Sequence, residues 1–386
     1  EYHNRTLKLN VNTYNSAAKL FAMTKSCYYS QQDIKENAEF EVEQIRHHLY
    51  KNLKQYNHDD KKQNPNKKLN IAYLSSDCHA HTMMNYMIPI WENHNKDEFN
   101  FFIFNGSSKH DAVAESIKQI GFKMINCVNL GIPEIAKLIY DNQIDILIDL
   151  GGHTEGGATL QVASYRPARV QMCGIGYFDS TGAEFIDYFI GDEFLTAHDE
   201  IFTEKIFLLR NAFAFKPNDK MIRVKKIPRR NFTFGSLNNF MKLSDDYLSA
   251  VKSILDAIPD VKIIFRDTTP LKSRQIALIE RLNTFGIKNF DVRRGENDFF
   301  KDYGEIDLIL DTFPYPGGMM TALALTVTLV PSAFLAVTPT ALSPSMIRPV
   351  AVVLKRTSTP ASSRALFQSS TRSSKELVIR WKPPFS

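Results

Sequence analysis

No run of about 18 apolar residues occurs in the 386-residue sequence, so nothing in it reads as a membrane-spanning helix. The first thirty residues, with Glu1, Asn4 and Arg5 among polar neighbours, also lack the apolar stretch of a signal peptide. Cysteine is scarce. Cys27, Cys78, Cys127 and Cys173 lie about fifty residues apart and form no CxxC pair, which excludes a disulfide scaffold or redox dithiol and fits a reducing compartment, the cytoplasm. An excess of one charge is missing too once the chain is divided. Residues 326–386 carry eight of the 47 Lys and Arg and one of the 42 Asp and Glu, leaving 39 and 41 in residues 1–325. The formal net charge of +5 therefore comes from the C-terminal stretch, and neither nucleic acid nor a membrane is an expected partner. What remains, 44% hydrophobic and 23% charged residues, is globular composition with room for two or three domains. A first residue other than Met suggests a piece of a longer chain.

Residues 1–68 read as a helical segment and a polar linker, because Ala38, Val42, Ile45 and Leu49 recur at helical spacing ahead of the polar run 58–68. From residue 69 short apolar runs alternate with amphipathic stretches. Strands are expected at 69–76, 100–106, 123–127, 144–150, 170–176 and 185–192, and helices at 84–94, 111–121 and 133–142. Strands as apolar as 144–150 need cover on both faces, as in βαβ units. After a basic, proline-containing connector at 216–230 the texture restarts, with strands expected at 232–238, 261–267, 290–294 and 308–312 and helices at 244–258 and 273–285. Ser244 suits a helix N-cap, with Asp245 and Asp246 in the favoured first turn. Two successive α/β units, 69–215 and 231–325, imply a cleft lined by strand-end loops.

Those loops hold the candidate chemistry. The loop after the first strand presents Cys78, His79 and His81, and a histidine there suits a general base or a hydrogen-bond partner of a hydroxyl. The same three residues lack the further ligands that a metal site needs. The strand ending at Asp149 runs into Gly151, Gly152, His153 and Thr154, which serves either a ligand approaching backbone or an ordinary turn. Gly174, Gly176 and Gly182 form another glycine-rich loop, but it is not GxGxxG, so a dinucleotide fingerprint is absent. Lys242 precedes the capping Ser244, an unfavourable place for helix stability and a favourable one for phosphate. Asp311-Thr-Phe-Pro-Tyr-Pro-Gly-Gly318 with Thr321 offers a second diphosphate cradle. No two aspartates are separated by a single residue, so a DxD metal-diphosphate site is lacking, and lysine and helix dipoles would carry that task.

Six ordered blocks carry a resemblance: residues 71–77 with His81, residues 145–154, Arg166-Pro-Ala-Arg-Val-Gln171, Gly176 and Tyr177 with Ser180-Thr-Gly182, residues 235–239 with Lys242, and residues 311–318. Together they resemble the catalytic region of the protein O-GlcNAc transferase and SPINDLY family over about residues 69–325, in a form common among bacterial members. The resemblance implies an α/β fold of the GT-B type, two Rossmann-like domains facing a cleft. It also implies an enzyme: an inverting, metal-independent glycosyltransferase that moves a sugar, GlcNAc from UDP-GlcNAc in the commonest case, onto Ser or Thr of proteins. Its partners would be protein acceptors and the nucleotide sugar, with no cofactor, and tetratricopeptide repeats usually precede such a region. By resemblance His81 is a catalytic residue near acceptor and sugar, and Lys242 contacts the donor diphosphate. His153, Thr154, Asn239, Asp311, Gly317, Gly318 and Thr321 are expected to bind the donor. The alternatives are a non-catalytic nucleotide-sugar or protein-binding remnant, or another GT-B enzyme such as a nucleotide-sugar epimerase.

Two departures stand against the family pattern. Met319 occupies a position where a third glycine is frequent in the phosphate loop. Residues 326–386 contain no Gly, Asn or Asp, and Ser, Thr and Pro make up 25 of their 61 positions, so caps and tight turns are missing. The second domain is therefore expected to be incomplete, poorly folded beyond residue 230 and weak in activity. The tail reads as an out-of-frame translation or a Ser/Pro-rich extension.

Overall fold

The computed structural model describes residues 20, 23, 29–49, 55–58, 67–154, 158–196, 199–215, 224, 227, 231–258, 260–267, 269, 271–295, 300–329 and 336–337. Its first element is helix α1, Gln31–Leu49, which buries Ile34, Ala38 and Val42 on one face. The first sheet follows: β1 Leu69–Ser75, α2 Met84–Glu92, β2 Phe99–Asn105, α3 Ala112–Gln119, β3 Lys123–Asn126, α4 Ile132–Asp141, β4 Ile146–Asp149, α5 Thr159–Ala163, β5 Val170–Gly174, β6 Tyr188–Gly191 and β7 Lys205–Leu208. All seven strands are parallel, in the order β3-β2-β1-β4-β5-β6-β7. The order reverses between β1 and β4. Parallel strands need crossovers and cover on both faces, which is why β1 is buried at five of its seven positions.

The second sheet is built from β8 Thr233–Ser236, α6 Asp245–Ala257, β9 Lys262–Arg266, α7 Lys272–Thr284, β10 Phe290–Arg293, α8 Phe300–Glu305, β11 Leu308–Leu310, α9 Met319–Leu329 and β12 Ala336–Val337. It too is parallel, in the order β10-β9-β8-β11-β12, with its reversal between β8 and β11. Ser244 caps α6 as its sequence position suggests, accepting the Tyr247 N–H at 3.0 Å. The element boundary expected at residue 325 is crossed by α9, and β12 adds a fifth strand beside β11. The rest of the tail, the connector apart from residues 224 and 227, and residues 59–66 of the polar run lie outside the described residues.

One apolar cluster runs through both units. It joins Met84, Met87 and Trp91 of α2 to Leu237, Ile306, Met319 and Leu323 of the second unit, so burial holds the two sheets together. The segment at α1 is not a separate module either. Val42 packs with Leu160, Tyr177 and Phe185 of the first unit. Gly182, at φ +66, lets the chain pass against α1, where a Cβ would stand 2.6 Å from the Glu39 nitrogen.

Candidate functional site

Both order reversals face a cleft of about 710 Å³, the place where parallel α/β sheets leave a crevice between diverging loops. The first unit lines it with Ala80, His81 and Thr82 from the loop after β1, Met84, Asn85 and Ile88 of α2, and Val113 of α3. The second unit contributes Leu237, Asn238, Asn239 and Lys242 after β8, Arg266 and Asp267 at the end of β9, and Gly295 and Phe300 beyond β10. Gly318, Met319, Met320 and Leu323 complete that wall at the start of α9.

The loop carrying His81 is held from below. Asp111 caps α3 by accepting the Val113 and Ala114 N–H groups at 3.0 and 2.9 Å, and its other oxygen accepts the Ala80 N–H at 2.8 Å. These bonds hold its carboxyl below the usual carboxylate range. His79 is buried between Ser107 and Lys109, its ring nitrogens 3.0 and 3.1 Å from Oγ and Nζ. Burial, then the Lys109 charge, lowers its pKa; the Lys109 ammonium can only donate, so Nε2 accepts from it and Nδ1 is left to face Ser107 Oγ. His81 is about half exposed; Nδ1 accepts the Met83 N–H at 3.4 Å and lies 3.9 Å from Asp77 Oδ2. That leaves Nε2 as the ring nitrogen for a ligand in the cleft. Cys78, His79 and His81 thus point to different tasks, and no group of three metal-binding side chains forms among the described residues.

On the opposite wall, the β8 and β11 loops are locked together. Lys242 ends a single 3-10 turn, Phe240–Lys242, which Asn239 caps by accepting the Met241 N–H at 3.0 Å. Its ammonium donates to the Pro316 carbonyl at 2.9 Å and stands 4.5 Å above the Tyr315 ring. Ser244 Oγ donates to the Phe313 carbonyl at 2.8 Å. Behind this surface Asp311 is buried and accepts from the Asn238 amide, Thr321 Oγ1 and the N–H groups of Thr312 and Gly317, all at 2.8–2.9 Å. Desolvation pushes its pKa up even against those four donors. Gly317 must be glycine, since a Cβ would meet Asn238 Oδ1 at 2.5 Å and Thr321 Oγ1 at 2.6 Å. The loop so braced delivers Gly318 and the N-terminus of α9 to the cleft. The first N–H groups of a helix have no intrahelical acceptor, and its dipole favours an anion there.

Of the residues singled out in the sequence, His81, Asn239, Lys242 and Gly318 meet around this cleft. Asp311, Gly317 and Thr321 stand immediately behind it as the brace. His153 and Thr154 are turned into the first unit. The His153 Nε2–H donates to the Thr181 carbonyl at 2.7 Å, and burial pushes its pKa down to about 4. Thr154 Oγ1 donates to the Gly151 carbonyl at 2.7 Å. Arg266, Asp267 and Phe300 were not anticipated; the signal was a charged pair at the carboxyl end of β9, the end at which ligands bind.

A family model described as glycosyl transferase family 41 matches residues 29–265. The SPINDLY protein of Petunia hybrida, a probable UDP-N-acetylglucosamine–peptide N-acetylglucosaminyltransferase, is 26% identical over 283 residues, covering 69% of this chain and 30% of its own length. The SEC protein of Arabidopsis thaliana, named for the same activity, is 27% identical over 209 residues, covering 50% of this chain and 21% of its own. This chain therefore spans under a third of the curated relatives it matches. A mutant form of the Thermobaculum terrenum O-GlcNAc transferase shares the fold at a TM-score of 0.74 and 21% identity, over 85% of this chain and 63% of that one.

Proposed function

The chain belongs to glycosyltransferase family 41, and from that premise we propose that its cleft transfers a sugar from a nucleotide diphosphate donor, UDP-GlcNAc, to a Ser or Thr hydroxyl of a protein. The observation that carries this reading is the pairing of Lys242 with the α9 N-terminus on one wall, facing His81 on the other. The diphosphate sits on the second unit, and the acceptor enters past the first. A single displacement then inverts the anomeric carbon: the acceptor oxygen forms the new bond on one face while the bond to the diphosphate oxygen breaks on the other. The departing electron pair goes to the diphosphate, where the Lys242 ammonium and the helix dipole stabilise it. Preorganised charge of this kind takes the place of a metal bridging the phosphates, and among the described residues that line the cleft Asp267 is the one aspartate.

His81 Nε2 orients the acceptor hydroxyl and receives its proton. His153 fixes the loop after β4 against Tyr177 and Thr181, and Thr154 closes that loop on Gly151, so both support the donor side through the first unit. The wider assignments follow the same reading: protein acceptors presented by a repeat region upstream, no resident cofactor, and a cytoplasmic site of action. Among the described residues no helix is long and apolar enough to cross a membrane. The test is transfer of labelled GlcNAc from UDP-GlcNAc to a Ser/Thr peptide in the presence of EDTA, with the product's anomeric configuration read by NMR. A β-linked product formed in EDTA supports the proposal; release of free GlcNAc alone, or a strict metal requirement, contradicts it.

A further inference from the structure

A histidine that takes a proton on Nε2 must carry its own on Nδ1, and what surrounds His81 Nδ1 decides whether it does. Two tight turns curl the loop after β1: the His79 N–H donates to the Asp77 carbonyl at 2.7 Å, and the His81 N–H to the His79 carbonyl at 2.6 Å. The curl brings the side chains of Asp77 and His81 together, with Oδ2 standing 3.9 Å from Nδ1. Nδ1 therefore lies between a donor, the Met83 N–H at 3.4 Å, and an acceptor, the Asp77 carboxylate. Both contacts are long, so neither fixes the ring alone. They also ask for opposite tautomers. With the Met83 N–H donating to Nδ1, the ring proton sits on Nε2, which can then only donate to an acceptor hydroxyl. With the proton on Nδ1 and directed at Asp77, Nε2 presents its lone pair.

The other charged groups around the loop leave this task to Asp77. Both Asp111 oxygens are taken by backbone N–H groups, Ala80 on one and Val113 and Ala114 on the other. The His79 ring, 5.8 Å from that of His81, is occupied by Ser107 and Lys109. The Asp77 N–H donates to Ser75 Oγ at 3.0 Å, whereas its carboxylate takes no hydrogen bond from the described residues. A charge-assisted bond from Nδ1–H to that carboxylate is about twice as strong as the neutral contact with Met83 that it replaces. A turn of the half-exposed His81 ring closes the remaining gap of about 1 Å, and such bonds tighten when substrate is bound.

We propose that Asp77 is the positioning residue that holds His81 in the Nδ1–H tautomer. The assignment rests on the cleft being the transfer site described above. In the transfer step the acceptor O–H bond breaks, its electron pair forms the bond to the anomeric carbon, and its proton passes to Nε2. The electron pair of the broken sugar–phosphate bond leaves with the diphosphate. The Nδ1 proton stays on the ring, and the Asp77 carboxylate stabilises the imidazolium that results. The test is a long-range 1H–15N NMR spectrum of the full chain at about pH 8, above the ordinary imidazole range, with His81→Gln identifying the His81 signals. The parent is expected to carry the proton on Nδ1, and Asp77→Ala to move it to Nε2. In that variant kcat for transfer should fall about tenfold or more with KM for UDP-GlcNAc unchanged, and Asp77→Glu should recover part of the loss. A parent ring protonated at Nε2, or a folded Asp77→Ala with its proton still on Nδ1, overturns the proposal. So does a kcat that Asp77→Ala leaves unchanged. If Asp77→Ala does not fold, the tautomer of the parent decides. A parent without transfer activity defeats the transfer reading and the catalytic half of this proposal with it, while the spectrum still decides the tautomer.

Discussion

At the residue scale, burial of single ionisable groups writes a pH dependence into stability. The Asp179 carboxyl is pushed up to about 7, chiefly by desolvation and further by Glu204. The His153 and His94 rings are pushed down to about 4, again chiefly by desolvation. A raised acid favours the native state at low pH, and its contribution is lost as pH climbs through about 7. A depressed histidine does the reverse, so stability falls as pH drops from 6.5 toward about 4. Asp149 and Asp311 are raised by desolvation as well and His79 is lowered, so the parent profile sums opposed contributions and the share of Asp179 is read by difference. Urea midpoints of Asp179→Asn should keep the stability that the parent loses between the free carboxylate value of 3.8 and about 7. A variant profile parallel to the parent's would place Asp179 in a more solvated setting. Asp311 makes a second residue-scale prediction: Asp311→Ala strands four buried donors, at a cost of about 2–4 kcal/mol in chemical denaturation and with weaker UDP binding.

At the element scale, helix caps do two jobs, because each capping side chain also holds a loop of the cleft. Ser244→Ala should cost about 1 kcal/mol for the cap and lower donor affinity as well, since the tie to Phe313 goes with it. A cap substitution that left donor affinity untouched would separate α6 from the phosphate loop. Most of these elements were legible in the sequence. Apolar runs with small boundary errors located β1 to β6 and β8 to β11, and Ser244 with its two aspartates announced α6. Elements without a periodic signature were missed. α5 has only five residues, β7 is a four-residue edge with Leu208 exposed, and α9 reads Met-Met-Thr-Ala-Leu-Ala-Leu-Thr-Val-Thr-Leu, apolar nearly all round and interrupted by β-branched residues. Its helical state comes from packing, through Met319 and Leu323 in the shared core.

At the scale of the whole molecule, that shared core decides how the units behave. Because α2 and α9 belong to one apolar cluster, unfolding followed by far-UV and near-UV circular dichroism should show coincident midpoints. Two separated transitions would mean that the units stand apart and that the expectation of a weak second domain was right. The site shows what a sequence reveals and hides. Lys242 was readable because a lysine at a helix start is locally anomalous, and His81 because it follows a strand. Asp267 was not readable, since only the fold buries it beside the cleft 3.6 Å from Arg274, and only the fold turns His153 toward the Thr181 carbonyl. The central claim is that the cleft holds a nucleotide-sugar diphosphate between Lys242 and the α9 N-terminus. Its most direct test is calorimetric titration of UDP-GlcNAc into the parent chain and into Lys242→Ala. Binding should be measurable in the parent and fall by about tenfold or more in a folded variant, the loss expected of one charge-assisted phosphate contact. Binding of equal strength in both proteins would contradict it.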